Sequence, residues 1–110
     1  MCAWMIDIHG SDYLKEKYLN SMTSFDLFSS YCLTEPDSGS DAQSMKSFAK
    51  DMGDHYVLNG SKAFISGAGT SDLYLVMCKT GEKEVSCLLL EKGMQGLSFG
   101  ANEHKMGWNV

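Results

Sequence analysis

The sequence predicts a mainly β domain, an antiparallel barrel or pair of packed sheets, preceded by one or two short helices. Three observations lead there. Up to Met22 the apolar residues recur at helical spacing, with Gly10 interrupting them. From about Thr23 the chain breaks into short apolar runs separated by Gly, Asn, Asp and Ser. No strand–helix–strand alternation follows Thr23, which argues against a doubly wound parallel sheet.

The elements follow in order. Met1–Ile8 is mostly apolar and reads as a helix that Gly10 stops. Ser11 offers a side-chain cap to a second helix, Asp12–Met22. There Leu14, Tyr18 and Leu19 share one face and Lys15, Glu16 and Lys17 the other. Phe25, Leu27, Tyr31 and Leu33 carry the period of two of a strand or its approach. Glu35–Asp41 is a loop dense in Pro, Ser, Asp and Gly, and Ser44–Met52 reads as a half-buried strand. Tyr56–Ile65 places two β-prone runs around Asn59-Gly60, the pair that suits a type I′ turn, so a hairpin is expected. Leu73–Cys78 is a continuous apolar strand, expected to be buried on both faces. It pairs with Val85–Leu90 across the polar connection Thr80–Glu84. Leu97–Phe99 reads as a short further strand after the turn around Gly93–Gly96.

Composition narrows the function classes. The chain has 110 residues, enough for one domain with a real core. Net charge is −5 and all nine cations are lysines, so the basic face and arginine forks of a nucleic-acid binder are missing. The four cysteines form no C-x-x-C pair, and His9, His55 and His104 are scattered, so no metal site is expected. Cys32 and Cys78 sit inside apolar runs and read as small buried hydrophobes, which suits a reducing compartment. No run approaches the length of a membrane span, and neither a transit segment nor a signal peptide is recognisable.

Two segments could carry chemistry. Tyr31–Asp41 (YCLTEPDSGSD) offers the hydroxyls of Thr34, Ser38 and Ser40, with Gly39 allowing close backbone approach. Exposed amides in such a turn can form an anion-binding nest. The residues alone fit either a flavin-binding loop or a plain polar turn. Glu35 and Asp41 fit either a paired acid and base or, for Glu35, a carboxylate that ties down backbone amides. Phe64 and Ser66 stand two apart, so on a regular strand they share a face and could border a flat ring. Phe64 also fits an ordinary core position. Trp4 and Met77 read as fillers of core or interface gaps, and Trp108 has no clear role. The glycine-rich Ser66–Asp72 matches neither dinucleotide nor P-loop fingerprints, and no helix follows it.

Taken together, these segments resemble the acyl-CoA dehydrogenase family. YCLTEPDSGSD is similar to the family's Y-C-x-T-E-P-x-x-G-S-D, and NGSKAFIS to its N-G-x-K-x-[FW]-I-[ST]. The EKG, GLSFG and KMGW segments resemble the later part of the same middle domain, so the likeness spans essentially the whole chain. Within the family, MCAWMID, YCLTEP, NGSKAFISGAG and GLSFG resemble the members that act on isobutyryl-CoA, in valine breakdown.

The resemblance implies a division of the chain. Residues 1–24 would close an N-terminal helical domain, and residues 25–110 would form a middle β-domain, incomplete at its end. It implies FAD as cofactor, a short branched acyl-CoA as substrate, electron-transfer flavoprotein as electron acceptor, a homotetramer and the mitochondrial matrix. A glutamate base would remove the α-proton while the β-hydride passes to the flavin. That glutamate belongs to a C-terminal helical domain, so no catalytic residue is assigned here. By position, Tyr31, Cys32, Leu33 and Thr34 would border the isoalloxazine, with Gly39 and Ser40 near the pyrophosphate. Ser40 would also contact substrate, and Phe64, Ile65 and Ser66 would line the ring. Asp37 stands where many members have Gly, adding negative charge near a diphosphate. On this reading the chain is a piece of an oxidoreductase and is itself inactive. The alternatives are an inert stand-alone flavin-binding or interaction module, and a relative of the acyl-CoA oxidases.

Overall fold

The computed structural model describes residues 1–107, so Trp108 lies outside the described residues. The two helices are α1, Cys2–His9, and α2, Asp12–Thr23. Gly10 ends the first, its amide bonding Ile6 O at 2.8 Å. Ser11 caps the second by accepting from the Leu14 amide at 3.4 Å. The α2 exit turns on Phe25, a left-handed residue at φ 64°, and the amides of Asp26 and Leu27 return to Ser21 O.

Five strands follow: β1 Ser29–Cys32, β2 Phe48–Asp51, β3 Tyr56–Asn59, β4 Leu73–Lys79 and β5 Val85–Glu91. A 3-10 turn, Ala42–Ser44, precedes β2. β4 is the axis of the sheet. β5 runs antiparallel along one of its edges from Leu73 to Lys79. The other edge is shared: β1 pairs with Leu73–Val76 in parallel, and β2 meets β4 only at Lys79. β3 completes the sheet, antiparallel to β2. The expected mainly β domain after two helices is therefore present, as an open, mixed sheet. The parallel β1–β4 pair needs no crossover helix, because the long excursion through β2 and β3 provides the required connection.

β4 is buried on both faces, as its unbroken apolar run predicts. Leu73 and Leu75 pack with Cys2, Ile6, Tyr18 and Met22 on the helix side. Tyr74 and Val76 pack with Cys32 and Ile65 on the other side. The expected β4–β5 hairpin forms, and Cys32 and Cys78 are buried, unpaired thiols.

Several expectations are corrected. The hairpin is not centred on Asn59-Gly60; β3 pairs backward with β2, and residues 60–64 leave the sheet. Gly60 is needed for close approach instead. It sits at φ 152°, and a Cβ there would stand 2.2 Å from Ser47 Oγ. The period-two reading of Phe25–Leu33 holds for Leu27 and Tyr31, which pack on the helix-side core, but Phe25 is exposed and the strand is only Ser29–Cys32, with Ser30 and Cys32 buried on its other face. Leu97–Phe99 forms no strand; Phe99 reaches the sheet by laying its ring on Tyr74, 5.1 Å between centroids. Ser44–Met52 shortens to β2 behind its 3-10 turn. Trp4 is exposed, which removes the core half of its core-or-interface reading.

Candidate functional site

The shared edge of β4 creates a fork. β1 departs after Cys32 and β2 arrives at Lys79, so the chain around residues 33–35 leaves the sheet and its polar groups need other partners. Glu35 and Lys62 supply them. Glu35 accepts from the amides of Lys46 at 2.5 Å and Ser47 at 3.0 Å. Lys62 Nζ donates to Leu33 O at 2.9 Å and to Glu35 Oε1 at 2.8 Å. The pair is buried, with side chains 10% and 4% exposed for Lys62 and Glu35. Burial works against the Glu35 charge, but the Lys62 ammonium and the two amides outweigh it. The carboxyl is held down at about 2. Glu35 is thus a tie for backbone amides, which removes it as a free acid or base.

The fork joins the two segments singled out from the sequence. The Ala63 amide donates to Thr34 O at 2.8 Å. One strand earlier, Ser30 Oγ donates to Ser66 O at 2.6 Å and lies 2.9 Å from Ser71 Oγ. Gly67 makes this contact possible: at φ 81°, a Cβ would stand 2.5 Å from Ser71 Oγ. Tyr31–Thr34 and Phe64–Ser66 therefore lie side by side without being strand partners.

Phe64 is the unusual residue between them. It is a non-glycine residue at φ 56°, and its residue surface is 67% exposed. A left-handed backbone costs an L residue about 1–2 kcal/mol, and an exposed phenyl recovers little of it by packing. The expected shared strand face of Phe64 and Ser66 is absent, because Phe64 stands in a bend and Ser66 begins a turn. The ordinary core position open to Phe64 is likewise excluded, whereas Ile65 does enter the core.

The remaining candidates divide. Tyr31 and Leu33 are half-buried, and Tyr31 packs on the helix-side core. Thr34 is half-buried, and no hydrogen bond among the described residues takes its hydroxyl. Cys32 is buried and its thiol is pushed up to about 12, chiefly by burial, so it stays protonated. Glu35 and Ser38 close a tight turn by exchanging two backbone bonds, and Ser38 Oγ donates to Asp41 O at 2.7 Å. Beyond it Gly39 and Ser40 are exposed. Their amides have no partner among the described residues, and no hydrogen bond there links them to Phe64–Ser66. Asp37 pairs with Lys46 at 2.7 Å, which offsets its added negative charge.

An open cleft of about 1080 Å³ borders Phe64 and Ile65 and runs past Tyr74 to Leu97–Glu103. Thr34, Gly39, Ser40 and Ser66 are not among its walls. Its far side, Leu97–Glu103, lacks regular structure. Among the described residues no cluster of His, Cys, Asp or Glu could hold a metal ion, and no helix is long and apolar enough to cross a membrane. Lys62 is the organising residue that sequence reasoning missed. A lysine inside the apolar stretch YVLNGSKAFI was the available signal.

Comparison with known proteins shows the family of the chain. Residues 30–110 match the model of the acyl-CoA dehydrogenase middle domain. The chain is 57% identical to the mitochondrial isobutyryl-CoA dehydrogenase of Dictyostelium discoideum, over 100% of this chain and 27% of that protein. It is 52% identical to the mitochondrial isobutyryl-CoA dehydrogenase of Bos taurus, over 99% of this chain and 27% of that one. Butyryl-CoA dehydrogenase from Megasphaera elsdenii superposes with a TM-score of 0.91 at 35% identity, over 96% of this chain and 29% of that one. The FAD complex of PigA superposes with a TM-score of 0.91 at 37% identity, over 94% of this chain and 28% of that one. The chain thus spans little more than a quarter of the length of these relatives. At this identity and with its β-domain matched from β1 onward, the chain belongs to the acyl-CoA dehydrogenase family.

Proposed function

We propose that this chain forms the flavin-facing part of an enzyme that introduces a 2,3-double bond into a short branched acyl-CoA, isobutyryl-CoA. The observation that carries the reading is Phe64, an exposed aromatic in a left-handed conformation, hydrogen-bonded through its neighbour Ala63 to Thr34. Backbone strain of this kind clusters at ligand-holding sites, and Phe64, unlike the equally left-handed Phe25 at the α2 exit, sits where the two segments are joined. The residues fit a flat conjugated ring with polar edges: Phe64 supplies an aromatic face and Thr34 a hydroxyl with no internal partner among the described residues.

On this reading, residues 1–24 end a helical domain and residues 25–110 form the middle β-domain. Tyr31, Cys32, Leu33 and Thr34 border the flavin, Cys32 as packing beneath the loop. Phe64, Ile65 and Ser66 line the ring, Ile65 by anchoring Phe64 to the core. Gly39 and Ser40 offer exposed amides to the cofactor's pyrophosphate, and Ser40 also meets the acyl-CoA. When bound, FAD supplies the acceptor for the hydride leaving the acyl chain. The chain's own part is to bind and orient; none of its residues is assigned as the proton-removing base. Electron-transfer flavoprotein as electron acceptor, a homotetramer and the mitochondrial matrix complete the proposal. The matrix assignment is supported by two relatives labelled mitochondrial.

Titrating the chain with FAD while recording flavin fluorescence and the visible spectrum tests this. Weak, saturable binding is expected, with no bleaching when isobutyryl-CoA is added. Absence of saturable binding would overturn the flavin reading. Bleaching by isobutyryl-CoA would overturn the assignment of the base to residues outside this chain.

A further inference from the structure

We propose that the buried Glu35–Lys62 pair is a positioning device that sets the spacing between Thr34 and Phe64–Ser66, and with it the affinity of this surface for a flavin ring. The inference rests on the flavin reading above for its functional half; the geometric half stands by itself. Lys62 is two residues before Phe64, and its ammonium holds both Leu33 O and Glu35, the residues on either side of Thr34. The Ala63 amide, between Lys62 and Phe64, holds Thr34 O. Three bonds thus fix one segment against the other at the place where β1 has left β4 and no strand ladder can do so.

The pair also fixes the segment from outside. Glu35 anchors to the amides of Lys46 and Ser47, and Ser47 O in turn accepts from the Lys79 amide at 2.8 Å. Position is therefore transmitted from the end of β4, the most buried strand, through Ser47, Glu35 and Lys62 to Phe64. A surface hydrogen bond could not perform this role, because water would compete for both partners. Here both side chains are nearly excluded from water, so removing one leaves the other buried without its partner. Loss of the pair leaves the two segments free to drift apart, and a site that is competent for only a tenth of the time binds about tenfold more weakly.

The test uses the whole chain and three variants, Lys62→Met, Lys62→Arg and Glu35→Gln. Amide hydrogen exchange is read at Ala63 and across the β4–β5 ladder, and FAD affinity and the visible band positions of the bound flavin are read alongside. In Lys62→Met we expect exchange at Ala63 to accelerate by more than the general loss of protection read across β4–β5, with about tenfold weaker FAD binding and shifted flavin bands. Lys62→Arg retains the charge and a donor, and is expected to recover part of the affinity. If Lys62→Met does not fold, Glu35→Gln, which keeps an acceptor oxygen, carries the same comparison. Unchanged Ala63 exchange, or an acceleration at Ala63 no larger than that across β4–β5, would overturn the positioning role. A wild-type chain that binds no FAD would instead overturn the flavin reading, while the Ala63 exchange data would still decide the geometric half.

Discussion

Replacing Phe64 with glycine separates stability from binding, because the two depend on different properties of the residue. Its backbone lies at φ 56°, so glycine relieves about 1–2 kcal/mol of left-handed strain. Glycine also costs about 0.5–1 kcal/mol in unfolded-chain entropy. The residue is 67% exposed, so roughly a third of the 1.5–3 kcal/mol for burying a phenyl is lost, about 0.5–1 kcal/mol. The terms nearly cancel, and Phe64→Gly should change stability by no more than about 1 kcal/mol in either direction, against the roughly 3–5 kcal/mol of a core Phe→Ala. FAD affinity should behave differently. Losing one aromatic face is worth about 0.5–1.5 kcal/mol, a two- to tenfold weaker dissociation constant. Urea unfolding measures the first quantity and flavin fluorescence titration the second. Phe25→Gly is the control, with the same conformational relief at φ 64° on an exposed residue outside the proposed site. It should leave FAD affinity unchanged. A stability loss above about 2 kcal/mol in Phe64→Gly would show that the ring is packed. Unchanged FAD affinity in a folded variant would show that it does not face the cofactor.

Other outcomes follow from the same geometry. The Glu35 carboxyl, held near 2, stabilises the fold fully above its ordinary 4.5 and loses that contribution as pH falls toward 2. The loss is on the order of 3 kcal/mol, and Glu35→Gln should flatten this limb of a pH series of urea midpoints. Gly60→Ala should destabilise by more than about 2 kcal/mol, since its Cβ would meet Ser47 2.2 Å away; a neutral result in thermal melts would contradict the close approach. Lys17 bonds Glu91 at 2.7 Å, and Tyr18 donates to the same carboxylate, tying α2 to β5. These groups depress the Glu91 carboxyl, yet the ion pair is partly exposed. Lys17→Met should therefore cost little stability, and the cost should shrink as salt is added, as measured by unfolding at two ionic strengths.

What could be read from the sequence was whatever depended on local chemistry. Ser11, Gly10 and the apolar run Leu73–Cys78 announced the helix boundary and the central strand, because caps and two-sided burial leave marks in composition. Asn59-Gly60 misled for the same reason. The pair is a strong turn signal, but Gly60 answers to Ser47, thirteen positions earlier in the chain, and such a contact leaves no local mark. Phe64 was noticed for its type and spacing, while its exposure and left-handed backbone were invisible. The Glu35–Lys62 pair shows the limit most clearly. A tie for amides is one of the two roles the sequence allows Glu35, but its lysine partner lies in another segment 27 positions away.

The most direct test of the central claim is a residue-resolved map of where FAD touches the chain, from amide chemical shifts recorded during titration. The account predicts saturable shifts at Tyr31–Thr34 and Phe64–Ser66, with Gly39 and Ser40 following, and none at Lys17 or Glu91. Shifts confined to Leu97–Glu103 and the far side of the open cleft, with Thr34 and Phe64 unmoved, would contradict it.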